Sequence, residues 1–245
     1  MTSSLATARR RLAFALDYPS LAEARTGASR VREHAGVLKV GLELFVREGA
    51  PAVALGEQLG CEVFLDLKLH DIPETVERAV ASACGLGARY LTLHAAGGPR
   101  MLEAAAGRAE REGTGLVLLA VTVLTSLDAA DLAATGVSGS PAEQALRLAR
   151  LARGAGIPGL VCSAAEVGAL REALGPEPVL VTPGIRPSGA SAGDQKRTGS
   201  PGGAIRAGSS LLVVGRPIRD AAEPAVAAQA LVSEIAEALD DRAAR

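Results

Sequence analysis

The chain has 245 residues, of which 48% are hydrophobic and 2% aromatic, and its formal charge is −1. This length suits one large α/β barrel or two small domains, either with a sizeable buried core. A near-neutral chain without tryptophan excludes the basic, base-stacking face of a nucleic-acid binder, and no run approaches the roughly 20 apolar residues that span a membrane.

The N-terminal stretch MTSSLATARRRLAFALDYPS sets an arginine cluster before a short apolar run that ends at Asp17. A secretory signal needs a longer apolar region and a small-residue cleavage site. Residues 12–17 are therefore expected to form a first strand and residues 1–10 a frayed end. Further runs follow: VLKVG (37–41), EVFLDLK (62–68), RYLTLH (89–94), LVLLAVTVL (116–124), GLVCS (159–163), PVLVTPG (178–184) and LLVVG (211–215). Being nearly continuous in Val, Leu and Ile, they suit strands of a parallel sheet buried on both faces. The Ala-rich segments between them are long enough for crossover helices, most clearly AAEPAVAAQALVSEIAEALDD after the eighth run. Eight strand–helix units predict an α/β fold, a (β/α)8 TIM barrel occupying residues 1–245 as a single domain, with a doubly wound open sheet as the alternative. The Gly-, Ser- and Pro-rich stretch 186–203 is expected to be a long loop after the seventh strand, and such loops are usually functional. Residues 240–245 are expected to fray. Cys61, Cys84 and Cys162 are odd in number and widely spaced. They read as free thiols of a cytoplasmic protein rather than a disulfide framework or zinc site.

Polar residues gather at the C-terminal ends of these runs. Asp17 ends the first, Lys39 lies in the second, Asp66 and Lys68 end the third, and His94 ends the fourth. Thr122 and Thr125 lie near the end of the fifth, Arg186 follows the seventh, and Gly215 and Arg216 follow the eighth. In a barrel these ends converge on one mouth, where catalytic groups sit. Asp66 and Lys68 are two apart and would share one side of a strand. Buried charges are costly unless paired, so alternating Lys and Asp would hold an ammonium charged and aimed, as proton delivery to a carbanion requires. A structural ion-pair network is the alternative. Only Lys39, Lys68 and Lys196 among 26 basic residues are lysines. Chance accounts for one such survivor, but so does a need for a group that, unlike Arg, can lose a proton.

Asp71 lies past the expected strand end, before Ile72 and Pro73, on a stiff spur that need not face its own barrel. The competing reading is a turn or N-cap aspartate. VTPGIRP and VVGRPI each end a strand in Gly, then Arg and Pro, where loops 7 and 8 of such barrels bind phosphate. Either alone could be a turn with a surface arginine. His70 reads as a packed or hydrogen-bonded residue. Asp66 and His94 could ligate a metal, but Lys39 and Lys68 would repel it. No dinucleotide or P-loop fingerprint is present.

These residues and motifs together resemble the orotidine 5′-phosphate decarboxylase family in its bacterial form. The likeness runs from FALDYPS to GRPI and takes in LKVGLELF, FLDLKLHDIPETV, HAAGG, LLAVTVLTS, GLVCSA, VTPGIRP, GDQKR and VVGRPI, in family order. The Asp-x-Lys-x-x-Asp-Ile-Pro-x-Thr element is specific to that activity; the bare Asp-x-Lys-x-x-Asp is not. The resemblance implies decarboxylation of orotidine 5′-monophosphate to uridine 5′-monophosphate, the last step of de novo UMP synthesis, with no cofactor and no metal. It implies Lys68 as proton donor to C6 of the pyrimidine and Asp66 as the carboxylate beside the substrate carboxylate. They belong to a chain Lys39–Asp66–Lys68–Asp71 whose last member comes from the partner of a homodimer. Asp17 and Lys39 resemble ribose contacts, joined by Thr75, and Thr125 resembles the pyrimidine contact. Gln195 resembles the residue that spans phosphate and base, and Arg186, Gly215 and Arg216 the phosphate grip.

Two rivals stand beside this. Sugar-phosphate relatives such as 3-keto-L-gulonate 6-phosphate decarboxylase share the shorter motif but use Mg²⁺ and an enediolate; Ile72-Pro73-x-Thr75, VTVLTS and GDQKR argue against them. A barrel that only binds nucleotide would have no use for the buried charges. The implied partners are a small nucleotide substrate and a second copy of the chain, with neither nucleic acid nor membrane.

Overall fold

The computed structural model describes residues 3–187 and 199–244. Eight strands lie at the centre: β1 (Leu12–Ala15), β2 (Val37–Gly41), β3 (Glu62–Leu69), β4 (Tyr90–His94), β5 (Val117–Val121), β6 (Gly159–Val161), β7 (Val179–Thr182) and β8 (Leu211–Val214). All pair in parallel in sequence order, and β8 pairs back to β1, so the sheet closes into a barrel rather than opening into a doubly wound sheet.

Alternate residues of each strand face opposite ways, and here both faces are buried. Leu12, Phe14, Leu38, Val40, Leu65, Leu91, Leu93, Leu118, Leu160 and Leu212 belong to the core shared with the surrounding helices. Ala13, Ala15, Val37, Phe64, Leu119, Val181, Leu211 and Val213 form a second cluster that fills the barrel, with Tyr90 packed on it. Phe64 and Tyr90 meet edge to face, their ring centres 6.2 Å apart. This double burial is why the strand runs lack a polar alternation.

Three local differences from the sequence expectations have plain causes. Ser3–Arg10 form a helix with Ala8 fully buried, and the last helix runs from Pro224 to Ala243, so the ends expected to fray are largely helical. The two terminal helices pack on each other, and the Ser4 hydroxyl donates to Asp240 Oδ1 at 3.1 Å. The fifth strand stops at Val121, short of the expected 124. Its neighbour β6 has three residues and ends at Val161, so the ladder runs out; Thr122 instead donates both its backbone N–H and its hydroxyl to the Val161 carbonyl. Of the loop expected over 186–203, residues 188–198 lie outside the described residues. Its two ends are joined: Ile185 bridges Gly199, and Arg186 N–H donates to the Gly199 carbonyl at 3.0 Å.

The third strand carries the largest irregularity. Leu65 pairs with Leu91 but Leu69 pairs with Leu93, so residues 66–68 stand opposite Thr92 alone. Lys68 has φ 51° and is the sole non-glycine residue with positive φ among the described residues. Extra residues of this kind bend a strand and re-aim its side chains, typically beside active sites.

Candidate active site

Several interior columns of the barrel change from bulky apolar residues to charged residues or glycine toward their C-terminal ends. By strand spacing, Ala13 and Ala15 lead to Asp17, Val37 to Lys39, Phe64 to Asp66, and Leu211 and Val213 to Gly215. Asp17, Lys39, Asp66, Lys68, Thr125, Arg186, Gly215 and Arg216 line one cavity of about 340 Å³ at this mouth. Its floor is apolar, with Ala15, Phe64, Val121, Val161 and Val213. This size and lining suit a small molecule held by a few convergent polar groups.

The charged residues form an alternating chain. Lys39 Nζ lies 3.4 Å from Asp17 Oδ1 and 3.6 Å from Asp66 Oδ2, and Lys68 Nζ lies 2.8 Å from Asp66 Oδ1. The Lys39 and Asp66 side chains are only 11% and 13% exposed. Burial pushes the Asp66 carboxyl up, but the charges of Lys39 and Lys68, with hydrogen bonds from Lys68 and Thr92, outweigh it and hold Asp66 below the ordinary carboxylate range. Asp66 is therefore a carboxylate clamped between two ammonium groups. The expectation that Asp66 and Lys68 meet on one side holds, though through the irregularity of β3 and the left-handed Lys68 rather than through regular alternation.

Loops 7 and 8 close the other side. Pro183, Gly184 and Arg186 come from VTPGIRP, and Gly215 and Arg216 from VVGRPI. Gly184 has φ 74°, a conformation that favours glycine. At Gly215 a side-chain carbon would sit 3.3 Å from Asp17 Oδ2 and 3.4 Å from Ala15 Cβ, so glycine keeps this corner of the mouth open.

Asp71 and Thr75 do not join the cavity of their own chain. Asp71 is exposed, and its carboxylate accepts from the Ile72 N–H at 2.6 Å; Thr75 is exposed on the helix Pro73–Cys84. Ile72 is extended, with φ −59° and ψ 152°, as a residue before proline should be. Gln195 lies outside the described residues. His70 and His94 contact each other, with ring centres 5.3 Å apart. Burial lowers the His94 pKa, and His70 and Lys68 lower it further, so His94 adds no cation to the mouth near neutral pH.

Sequence reasoning missed Thr92 and Ser126. Thr92 is fully buried and holds both Asp66 and the Lys68 backbone. The signal was available, since Thr92 is a polar residue in an apolar run at the same parity as Tyr90 and His94. Ser126 lines the cavity next to Thr125; a serine in a loop after a strand carries little signal of its own.

A closed parallel barrel with alternating lysines and aspartates at its mouth has the make-up of a barrel enzyme. Comparison with known proteins narrows this class. The model of the orotidine 5′-phosphate decarboxylase / HUMPS family matches residues 10–231, and the chain belongs to that family. The orotidine 5′-phosphate decarboxylase of Anaeromyxobacter sp. (strain K) is 56% identical over 91% of this chain and 97% of its own length. That of Methylobacterium sp. (strain 4-46) is 50% identical over 97% of this chain and 100% of its own. The crystal structure of orotidine 5′-phosphate decarboxylase from Lactobacillus acidophilus matches with a TM-score of 0.80 at 36% identity, covering 92% of this chain and 99% of that one.

Proposed function

We propose that this chain decarboxylates orotidine 5′-monophosphate to uridine 5′-monophosphate and carbon dioxide, in pyrimidine biosynthesis, and that the charged array at the end of β3 carries the chemistry. Family membership and the relatives' identity over nearly their full length support the reaction. The observation that carries the mechanism is the Asp66 carboxylate held at 2.8 Å from Lys68 and 3.6 Å from Lys39 inside the cavity.

The substrate carboxylate sits beside ionised Asp66, a repulsion relieved as carbon dioxide leaves. Departure leaves an electron pair on C6 with little resonance help. Lys39 and Lys68 stabilise that charge, and Lys68 then gives C6 its proton. Asp17 and Lys39 contact the ribose, Thr125 the pyrimidine, and Arg186, Gly215 and Arg216 the phosphate, with Gln195 spanning phosphate and base. The array is costly to bury, and phosphate and ribose contacts far from C6 offset that cost on binding.

The working unit is a homodimer in which Asp71 and Thr75 complete the partner's site. Their exposure outside their own cavity supports this, as do Leu42, Val46 and Ile72, large apolar residues that are 51%, 81% and 65% exposed in the segments following β2 and β3. The barrel is one domain, and its place is the cytoplasm, in keeping with three free thiols. Among the described residues no helix is long and apolar enough to cross a membrane.

The test is turnover of orotidine 5′-monophosphate, followed by the change in pyrimidine absorbance, with and without a chelator. Turnover indifferent to chelator is expected. Loss with chelator and return with Mg²⁺ would move the chain to the sugar-phosphate branch, and no turnover at all would leave a nucleotide-binding barrel.

A further inference from the structure

Thr92 sits in the interior column of β4 between Tyr90 and His94, at 0% exposure. Its hydroxyl makes two contacts at 2.9 Å: it accepts from the backbone N–H of Lys68 and donates to Asp66 Oδ1. The first contact falls where the β3–β4 ladder breaks, with residues 66–68 facing Thr92 alone. A buried amide displaced from its ladder needs another acceptor, and the threonine oxygen is that acceptor. The second contact uses the hydroxyl's one proton on the same carboxylate oxygen that receives Lys68 Nζ at 2.8 Å.

Thr92 thus holds Lys68 at both ends, directly at its backbone and through Asp66 at its ammonium. Asp66 Oδ2 is left to face Lys39. We propose that Thr92 is a positioning residue for the decarboxylation: it keeps Lys68 in its left-handed conformation and fixes the rotation of Asp66, so that the two ammonium groups address opposite carboxylate oxygens. Serine offers the same hydroxyl; valine offers the same shape without donor or acceptor. This rests on the decarboxylase reading above.

The experiment compares wild type, Thr92→Val and Thr92→Ser in steady-state turnover of orotidine 5′-monophosphate, with calorimetric binding of uridine 5′-monophosphate and thermal melting alongside. A misplacement on the order of 1 Å at a reacting group costs about 10²-fold. Thr92→Val should therefore lose about 10²-fold in kcat while KM and product affinity stay within about threefold, because the ribose and phosphate contacts come from other strands. Thr92→Ser should recover most of kcat. A residue that only packs would alter melting, without splitting kcat from KM and without rescue by serine. Thr92→Val with wild-type kcat, or Thr92→Ser as impaired as Thr92→Val, overturns the inference. If Thr92→Val does not fold, Thr92→Ala is read by the same split. A wild type without turnover sinks the decarboxylase reading and this inference together, whereas an active wild type with an equally active Thr92→Val sinks this inference alone.

Discussion

Replacing Lys68 by glycine and by alanine separates its backbone from its side chain. Both variants lose the ammonium, the ion pair at 2.8 Å and the proposed proton donor. They differ in what the backbone tolerates at φ 51°. A left-handed conformation costs an ordinary L-residue roughly 1–2 kcal/mol. Glycine escapes that cost but loses more freedom on folding, about 0.5–1 kcal/mol relative to alanine in a strand. Across roughly 0–1.5 kcal/mol, the midpoint of the balance favours Lys68→Gly over Lys68→Ala by about 0.75 kcal/mol, the reverse of the order at a regular strand position. For a chain of this size that is about 1–4 °C in melting temperature. Urea unfolding of both variants, checked by calorimetric melts, measures it. Turnover should fall in both by at least about 10⁴-fold, combining roughly 10²–10⁴ for general acid catalysis with about 10²–10³ for a charge facing the developing carbanion. Equal or greater stability of the alanine variant would refute the left-handed backbone. Activity within about tenfold of wild type in either variant would refute Lys68 as the donor.

Three further outcomes are expected. Arg216→Ala should lower kcat/KM severely for orotidine 5′-monophosphate and little for the phosphate-free nucleoside, since its proposed contact is to phosphate; equal losses would place its action elsewhere. Asp66 has a folded pKa below its unfolded value, so the stability it contributes is present above about pH 4 and is lost as pH falls through the folded pKa. Asp66→Asn should therefore melt well below wild type at neutral pH, with the gap narrowing in acid, and a constant gap across acid titration would contradict the clamped carboxylate. Mixing Lys68→Ala with Asp71→Asn after dissociation and reassociation should restore about a quarter of sites, because half of randomly paired dimers are mixed and each holds one site without a defect. No recovery in a sample shown by mass to contain mixed dimers would return Asp71 to its own chain.

The barrel was legible because eight apolar runs, each buried on both faces, repeat with helices between them. The strand ends were less so. Whether Val123 and Leu124 continue β5 depends on the length of β6, a partner distant in sequence. Lys39 and Asp66 could be read from the sequence because a charge inside an apolar run is expensive and needs a reason. Thr92 went unread because propensity alone accounts for a threonine in a strand, although its parity with Tyr90 and His94 was there to be used. Its proposed role depends on the break in the β3–β4 ladder, and nothing in FLDLKLHDIP announces a left-handed lysine. Conversely, the Gly and Arg-Pro signals of VTPGIRP and VVGRPI stood out at the ends of apolar runs, and both motifs do reach the cavity.

The scarcity of lysine has a practical side. An amine-directed acylating reagent meets, besides the terminal amine, only Lys39, Lys68 and Lys196 in the whole chain. Two of these line the cavity, and the Lys68 side chain is 30% accessible against 11% for Lys39. The arginine-rich exterior is silent to such chemistry. Covalent labelling counted by intact mass thus has at most four amines to report, and protection of Lys39 and Lys68 by nucleotide is read against only the terminal amine and Lys196.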